Sequence, residues 1–432
     1  MSRTAYRGAI FHLLDDPDMA GPDAAVFYDD GVLIVEDGFI VELMPWSEDA
    51  LAHIHGIPVE HFPDGLIMPG FIDAHVHYPQ TEIMAAPGTE LLEWLTRYTF
   101  VAEARYGYPE VAREAAGFFL DQLVANGVTT ALVFATSHKT SVEALFNAAL
   151  ARNMRLISGK VLMDINAPPA LCDTVETGYM DSKALIRDYL GRGRLGYAVT
   201  PRFALTSSPQ QLEMAARLLA EHPGVLLQTH LSENTRELRA AHQLFPDCAD
   251  YFAVYEKFGL ATDHAVFAHG VHLSASEWRR LAASGGALAH CPSSNMFLGS
   301  GLFDIGAARA AGAAVALGSD VGAGTSLSPF ATMADAYKVA RLKGYGIDAA
   351  KLFYMATLGA ARALKIDRCV GNLQPGKEAD FVLLNAHALP LLARRWAVAR
   401  DPVEKLFALA ILGDDRAVAR SYIAGAQAYH RI

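Results

Sequence analysis

Eight short apolar runs, most of them separated by stretches with helical spacing, constrain this chain more than any other feature. They cover residues 70–75, 129–134, 155–163, 196–202, 225–230, 264–269, 287–291 and 313–318. Runs this uniformly apolar suit strands buried on both faces, as parallel strands covered by helices are. Residues 109–126, 142–152 and 209–222 carry helical periodicity, and the longer first gap also holds a helical pattern at 90–98. Strand–helix alternation predicts a parallel sheet. Eight such units predict a closed (β/α)8 TIM-type barrel rather than an open sheet.

The two ends of the chain have another character. Brief β-prone runs at 25–28, 31–35 and 39–43 are separated by Asp29-Asp30 and Asp37-Gly38, and similar runs recur at 380–384 and 417–423. The expected organisation is a small discontinuous β-sandwich domain made of residues 1–68 and 372–432, around a catalytic barrel at 69–371. The net charge of −11 and the lack of a Lys/Arg cluster exclude a nucleic-acid partner. Asp15 and Asp16 interrupt the N-terminal apolar stretch early, and no apolar run reaches the ~18 residues of a membrane span. Cys172, Cys248, Cys291 and Cys369 lie far apart without a CxxC spacing, which favours reduced thiols and a cytoplasmic protein.

Barrels of this kind place chemistry at the C-terminal ends of their strands. Here the first run ends in His75-Val76-His77, the fifth in His230 and the sixth in His269, while Asp320 follows the eighth. Imidazole and carboxylate groups suit zinc and related divalent ions. Alternate strand residues point the same way, so an HxH pair can offer both rings to one ion. Position separates this pair from His53-Ile54-His55, which precedes the barrel and reads as a surface loop; His272 and His290 read as supporting residues. The fourth run ends in Thr200-Pro201-Arg202-Phe203, without a lysine that could bridge two ions once carboxylated, and Lys160 belongs to the third. One metal is therefore expected. Glu233, three residues after His230, is a candidate proton shuttle.

These residues resemble the amidohydrolase superfamily and, within it, the guanine deaminases. The resemblance spans nearly the whole chain through PGFIDAHVHYPQTE, LLEWLTRYTFVAEARY, TPRFALTSSPQQL, THLSEN, FAHGVHLS, HCPSSN, GSDVGAGTS and NLQPGKEADF. HYPQ, LLEWL…YTF and TPRF are the narrow motifs. The resemblance implies one Zn2+ per subunit (iron is an alternative) held by His75, His77, His230 and Asp320. Asp320 would also take a proton from the attacking water, and Glu233 would protonate the purine ring and assist amine departure. His269 would orient the nucleophile, and Gln80, Arg202 and Phe203 would bind the base. Hydrolytic deamination of guanine to xanthine and ammonia, in a homodimer, is what the resemblance implies. A related aminohydrolase for pterins, triazines or modified adenines, a dechlorinating hydrolase, and a non-catalytic assembly protein are the alternatives. The last conflicts with a complete set of site residues. The other zinc deaminase design, with HxE and PCxxC, has no match: Cys291-Pro292 is in reverse order.

Overall fold

The computed structural model describes residues 3–88 and 90–431. Four strands precede the barrel: β1 (Arg3–Leu13), β2 (Ala25–Glu36), β3 (Phe39–Pro45) and β4 (Val59–Pro69). The barrel strands are β5 (Phe71–His77), β6 (Val128–Phe134), β7 (Arg155–Gly159) with its short continuation β8 (Val161–Leu162), β9 (Leu195–Pro201), β10 (Leu226–Leu231), β11 (Ala265–His269), β12 (Ala287–His290) and β13 (Ala314–Leu317). Three more close the chain: β14 (Phe381–Asn385), β15 (Val418–Ile423) and β16 (Ala426–His430).

Every barrel ladder is parallel, in the order β5-β6-β7-β9-β10-β11-β12-β13. The circle closes at its C-terminal end through two backbone bonds: His77 N–H donates to the Val321 carbonyl at 2.8 Å and Asp320 N–H to the His75 carbonyl at 2.9 Å. Ile72, Ala74, Leu132, Ile157, Ala198, Leu226, Val266, Ala289 and Ala316 fill the lumen as one buried cluster with Ala360, Ala361 and Leu364. Interior packing at this density leaves the upper end as the place for a ligand.

The two chain ends share one seven-stranded sheet, β16-β15-β14-β4-β1-β2-β3. Its joint is β4, parallel to β1 and antiparallel to β14. Tyr6 of β1 reaches across β4 to Phe381 of β14, with ring centroids 4.9 Å apart, and Phe381 stacks on Tyr422 at 4.2 Å. The sheet is fastened to the barrel by charge. The Arg194 guanidinium donates to Glu378 Oε2 (2.5 and 2.9 Å) and Asp380 Oδ2 (2.6 Å), while Arg155 also pairs with Glu378.

Three local expectations are corrected. Asp29-Asp30 is not a turn: β2 runs through it, whereas Asp37 and Gly38, both at positive φ, do form the β2–β3 turn. The third barrel strand is interrupted at Lys160, next to a point where β7 approaches β9 too closely for a side chain. A Cβ on Gly159 would stand 1.8 Å from the Ala198 carbonyl. The helix expected at 90–98 is α-helical only over Leu91–Trp94; Leu95–Thr99 is a π turn, followed by α-helix at Phe100–Glu103. The histidines outside the site also sort out. His53 ends a short helix and pairs with Glu42, His272 bonds the Ser300 carbonyl at 2.7 Å, and His290 stacks on Phe303.

Candidate active site

The expected residues converge at the upper mouth of the barrel, and a kink in β5 aims the first two. Ile72 and Ala74 face the lumen; the ladder to β6 then slips between Asp73 and Val76. A bulge of this kind changes which side chains point inward, so His75 and His77 face the site while Val76 joins the outer core. Asp73 anchors the kink. One of its oxygens accepts from His75 N–H at 3.1 Å and from Ser319 N–H at 3.0 Å, joining β5 to the segment that carries Asp320. Burial pushes its carboxyl up to about 6 against those bonds.

His75 Nε2 and His77 Nε2 each stand 3.2 Å from Asp320 Oδ1 and 3.2 Å from one another; His230 Nε2 is 3.3 Å from His77 Nε2. Donor atoms of His75, His230, His269 and Asp320 also lie within 4.8 Å of each other. Both groupings mark one centre. The shorter separations favour His77 over His269 as the third ring, because His269 Nε2 is 3.8 Å from Asp320 and 3.4 Å from Glu233. His230 Nδ1 bonds the Arg202 carbonyl at 2.7 Å, which makes it the N–H and turns the bare Nε2 inward. Burial lowers the basicity of all three rings, His77 to about 3. The Asp320 carboxyl is lowered too: burial opposes ionisation, but the bonds to His75 and His77 outweigh it. Three neutral rings and one carboxylate, crowded with lone pairs facing inward, form a donor set that fits a divalent cation. Asp320 and His269 both have positive φ, at 50° and 73°, so the backbone is held in an uncommon conformation where it presents these groups.

Glu233 faces the same centre. It is buried, and its oxygens lie 3.3 Å from Ser300 Oγ and 3.4 Å from His269 Nε2. Burial first, and then the Asp320 charge, push its carboxyl well above the usual range, so it stands as a proton donor. Glu237 accepts from the backbone N–H of Glu233 (2.8 Å) and Asn234 (3.1 Å), which fixes the loop before the helix Thr235–Leu244. The other nitrogen of the neighbouring ring, His269 Nδ1, bonds Asn295 Oδ1 at 2.8 Å.

A cleft lies above these groups, lined by Gln80, Arg202 and Phe203 together with Leu91, Trp94 and Leu298. A planar aromatic ligand suits such apolar walls with a few polar groups at one edge. Sequence reasoning missed Asp73, Asn295, Ser300 and above all Glu103, which is fully buried beneath Gln80 and Arg202. Only their place in otherwise apolar or motif-rich stretches could have singled them out.

An amidohydrolase family model matches residues 66–427. The chain is 45% identical to a guanine deaminase of Escherichia coli (99% of this chain, 98% of the relative). It is 41% identical to a probable guanine deaminase of Deinococcus radiodurans over the same shares. The chain belongs to the guanine deaminase family of amidohydrolases. This amidohydrolase superposes on the E. coli guanine deaminase structure with a TM-score of 0.95, at 44% identity and full coverage of both chains. It also matches the C. acetobutylicum enzyme, solved with guanine bound in its active site, at a TM-score of 0.90 and 28% identity, covering 99% and 100% of the two chains. Triazine hydrolase structures at 20–21% identity share the amidohydrolase fold with it.

Proposed function

We propose that this protein hydrolyses guanine to xanthine and ammonia, with His75, His77, His230 and Asp320 holding one zinc ion. The observation that carries the reading is the polar lining of the cleft, which Gln80 and Arg202 share with the acid Glu233. Zinc, when bound, supplies an activated water at neutral pH; iron is the alternative ion.

The chain's own groups account for the rest. Arg202 offers only donors and stays charged, so it suits the 6-oxo acceptor of guanine and opposes a 6-amino donor. The Gln80 amide offers a donor and an acceptor to the neighbouring edge, and Phe203 with Trp94 and Leu91 excludes water from the ring faces. Held this way, the purine turns C2 towards Asp320, His269 and Glu233. Asp320 takes one proton from the attacking water as oxygen bonds to C2. Glu233 gives its proton to the adjacent ring nitrogen. His269, aligned by Asn295, steadies the developing oxygen charge. Asp320 then passes its proton to the 2-amino group, the C2 hydroxyl gives its proton to the ionised Glu233 as the C2–N bond breaks, and ammonia leaves with xanthine behind.

Residues 69–371 act as the catalytic unit in this reading, carried by a discontinuous unit of residues 1–68 and 372–432. A cytoplasmic homodimer without nucleic-acid or membrane partners accompanies it. Among the described residues, no helix is long and apolar enough to cross a membrane.

The zinc-loaded protein is expected to release one ammonia per guanine and none from adenine. A chelator should abolish release and added zinc restore it. Turnover of a pterin or triazine in place of guanine would overturn the substrate; metal-independent turnover would overturn the site.

A further inference from the structure

The geometry points to Glu103 as the residue that sets the charge of the base-reading edge. By cancelling Arg202, it fits the cleft to a neutral oxopurine and keeps it from retaining an anionic product. The inference rests on the guanine reading and goes past it, to why product leaves.

Glu103 lies at the C-terminal end of the helix interrupted by the π turn. That turn lets one short segment serve two levels: Leu91, Trp94 and Leu95 line the cleft, while Phe100 and Glu103 sit behind its polar edge. Arg202 Nη1 donates to both Glu103 oxygens, at 3.0 and 2.8 Å, and Gln80 Nε2 donates to one of them at 3.0 Å. Gln80 Oε1 accepts from Gly322 N–H at 3.3 Å, so the amide is fixed in one orientation. All three residues are at most 2% exposed. Water can scarcely screen Arg202, and Glu103 is the one carboxylate bonded to it among the described residues. Phe100 covers the guanidinium with its ring centroid 5.5 Å away.

A buried arginine without that partner would be an anion site. The distinction matters here because xanthine is more acidic than guanine and loses a ring proton in mildly alkaline solution. With Glu103 in place, the edge has directional donors and no net charge. The ionised product then gains nothing from Arg202, and the Asp320 carboxylate lines the same cleft. The other titratable groups around the ligand are His77, His230 and His269, and the Tyr106 phenol is coupled to Glu103 from behind. They are common to parent and variants, so comparing the two isolates Glu103.

The test is calorimetric titration of xanthine into the zinc-loaded enzyme at pH 6 and pH 9, for the parent and for Glu103→Gln. Parent affinity should hold or weaken as pH rises. Glu103→Gln should gain at least about tenfold relative to the parent over that interval, given the strength of close buried charge pairs. The same pH dependence in both proteins overturns the proposal. Glu103→Asp keeps the charge with a shorter reach, so it should raise KM for guanine without the pH-dependent gain; such a gain would equally overturn it. If Glu103→Gln does not fold, the double variant Glu103→Gln/Arg202→Gln leaves neither charge unpaired. It should bind xanthine as indifferently to pH as the parent, and a preference for the anion there would refute the idea. Ammonia release from guanine by the parent, measured alongside, judges the substrate reading separately, because the xanthine titration needs no turnover.

Discussion

Glu233→Gln is expected to retain its metal and its melting temperature while kcat on guanine falls by about 10²- to 10⁴-fold, the usual contribution of a positioned acid–base group. The substitution is nearly isosteric. A glutamine can still accept from Ser300 Oγ and offer N–H groups to the ring nitrogen, so substrate binding should change little. What it cannot do is release a proton and take one back within a single turnover. Glu233 is placed for that exchange by burial and by the nearby Asp320 charge, which favour the protonated acid. Single-turnover kinetics with metal analysis on the same sample decides the matter. Near-parental kcat in the variant would remove Glu233 from the proton pathway, and loss of metal would reassign it to holding the ion.

The second large effect concerns stability. Arg194→Leu should lower the free energy of unfolding by about 3–5 kcal/mol, the range for removing one member of a buried charge group. It would strip partners from Glu378 and from Asp380, whose other oxygen accepts from Ala424 N–H at 2.8 Å. Burial already raises the Asp380 carboxyl, with Arg194 acting against that rise. Without Arg194 the rise grows, and a carboxyl raised in the folded state binds its proton more tightly there than in the unfolded chain. The variant should therefore recover stability as pH falls through the folded value towards about 4, the ordinary carboxyl range. Denaturant midpoints at pH 4.5 and pH 7.5 test this, and the gap to the parent should be smaller at the lower pH. A constant gap would mean that lost packing, not charge, accounts for the effect.

Much of this architecture was legible from one dimension because period and position agree. Apolar runs of strand length, set between helical stretches, leave a parallel barrel as the economical solution, and strand ends are where polar side chains would be wasted unless used. His75, His77, His230, His269 and Asp320 were readable for that reason. What stayed hidden depends on distances between segments far apart in sequence. The break at Lys160 stands beside the close approach of Gly159 to Ala198, which no local pattern encodes. β2 stays continuous through Asp29-Asp30 because the pair is taken up as a bulge between the Tyr28–Ile10 and Gly31–Gly8 pairs with β1, which overrides the turn preference of two aspartates. Glu103 looks like any helical glutamate until Arg202, from another strand, is brought over it. The π turn at Leu95–Thr99 was illegible for a related reason, since a one-residue change in helical pitch leaves the apolar spacing almost intact.

The place of β4 in the small sheet bears on how the chain is made. β1 and β4 are both made before the barrel, but the other edge of β4 is matched only by β14. All of the barrel sequence lies between them. Until β14 is made, the segment from Gly65 to Pro69 presents open N–H and C=O groups beside Leu66, Ile67 and Met68, a template for pairing with another nascent copy. Arrival of Phe381–Asn385 ends that exposure and brings Glu378 and Asp380 to Arg194. A chain that stops before that point keeps an adhesive edge and lacks the carboxylates that fasten the sheet, so prematurely terminated products are natural substrates for chaperones and proteases.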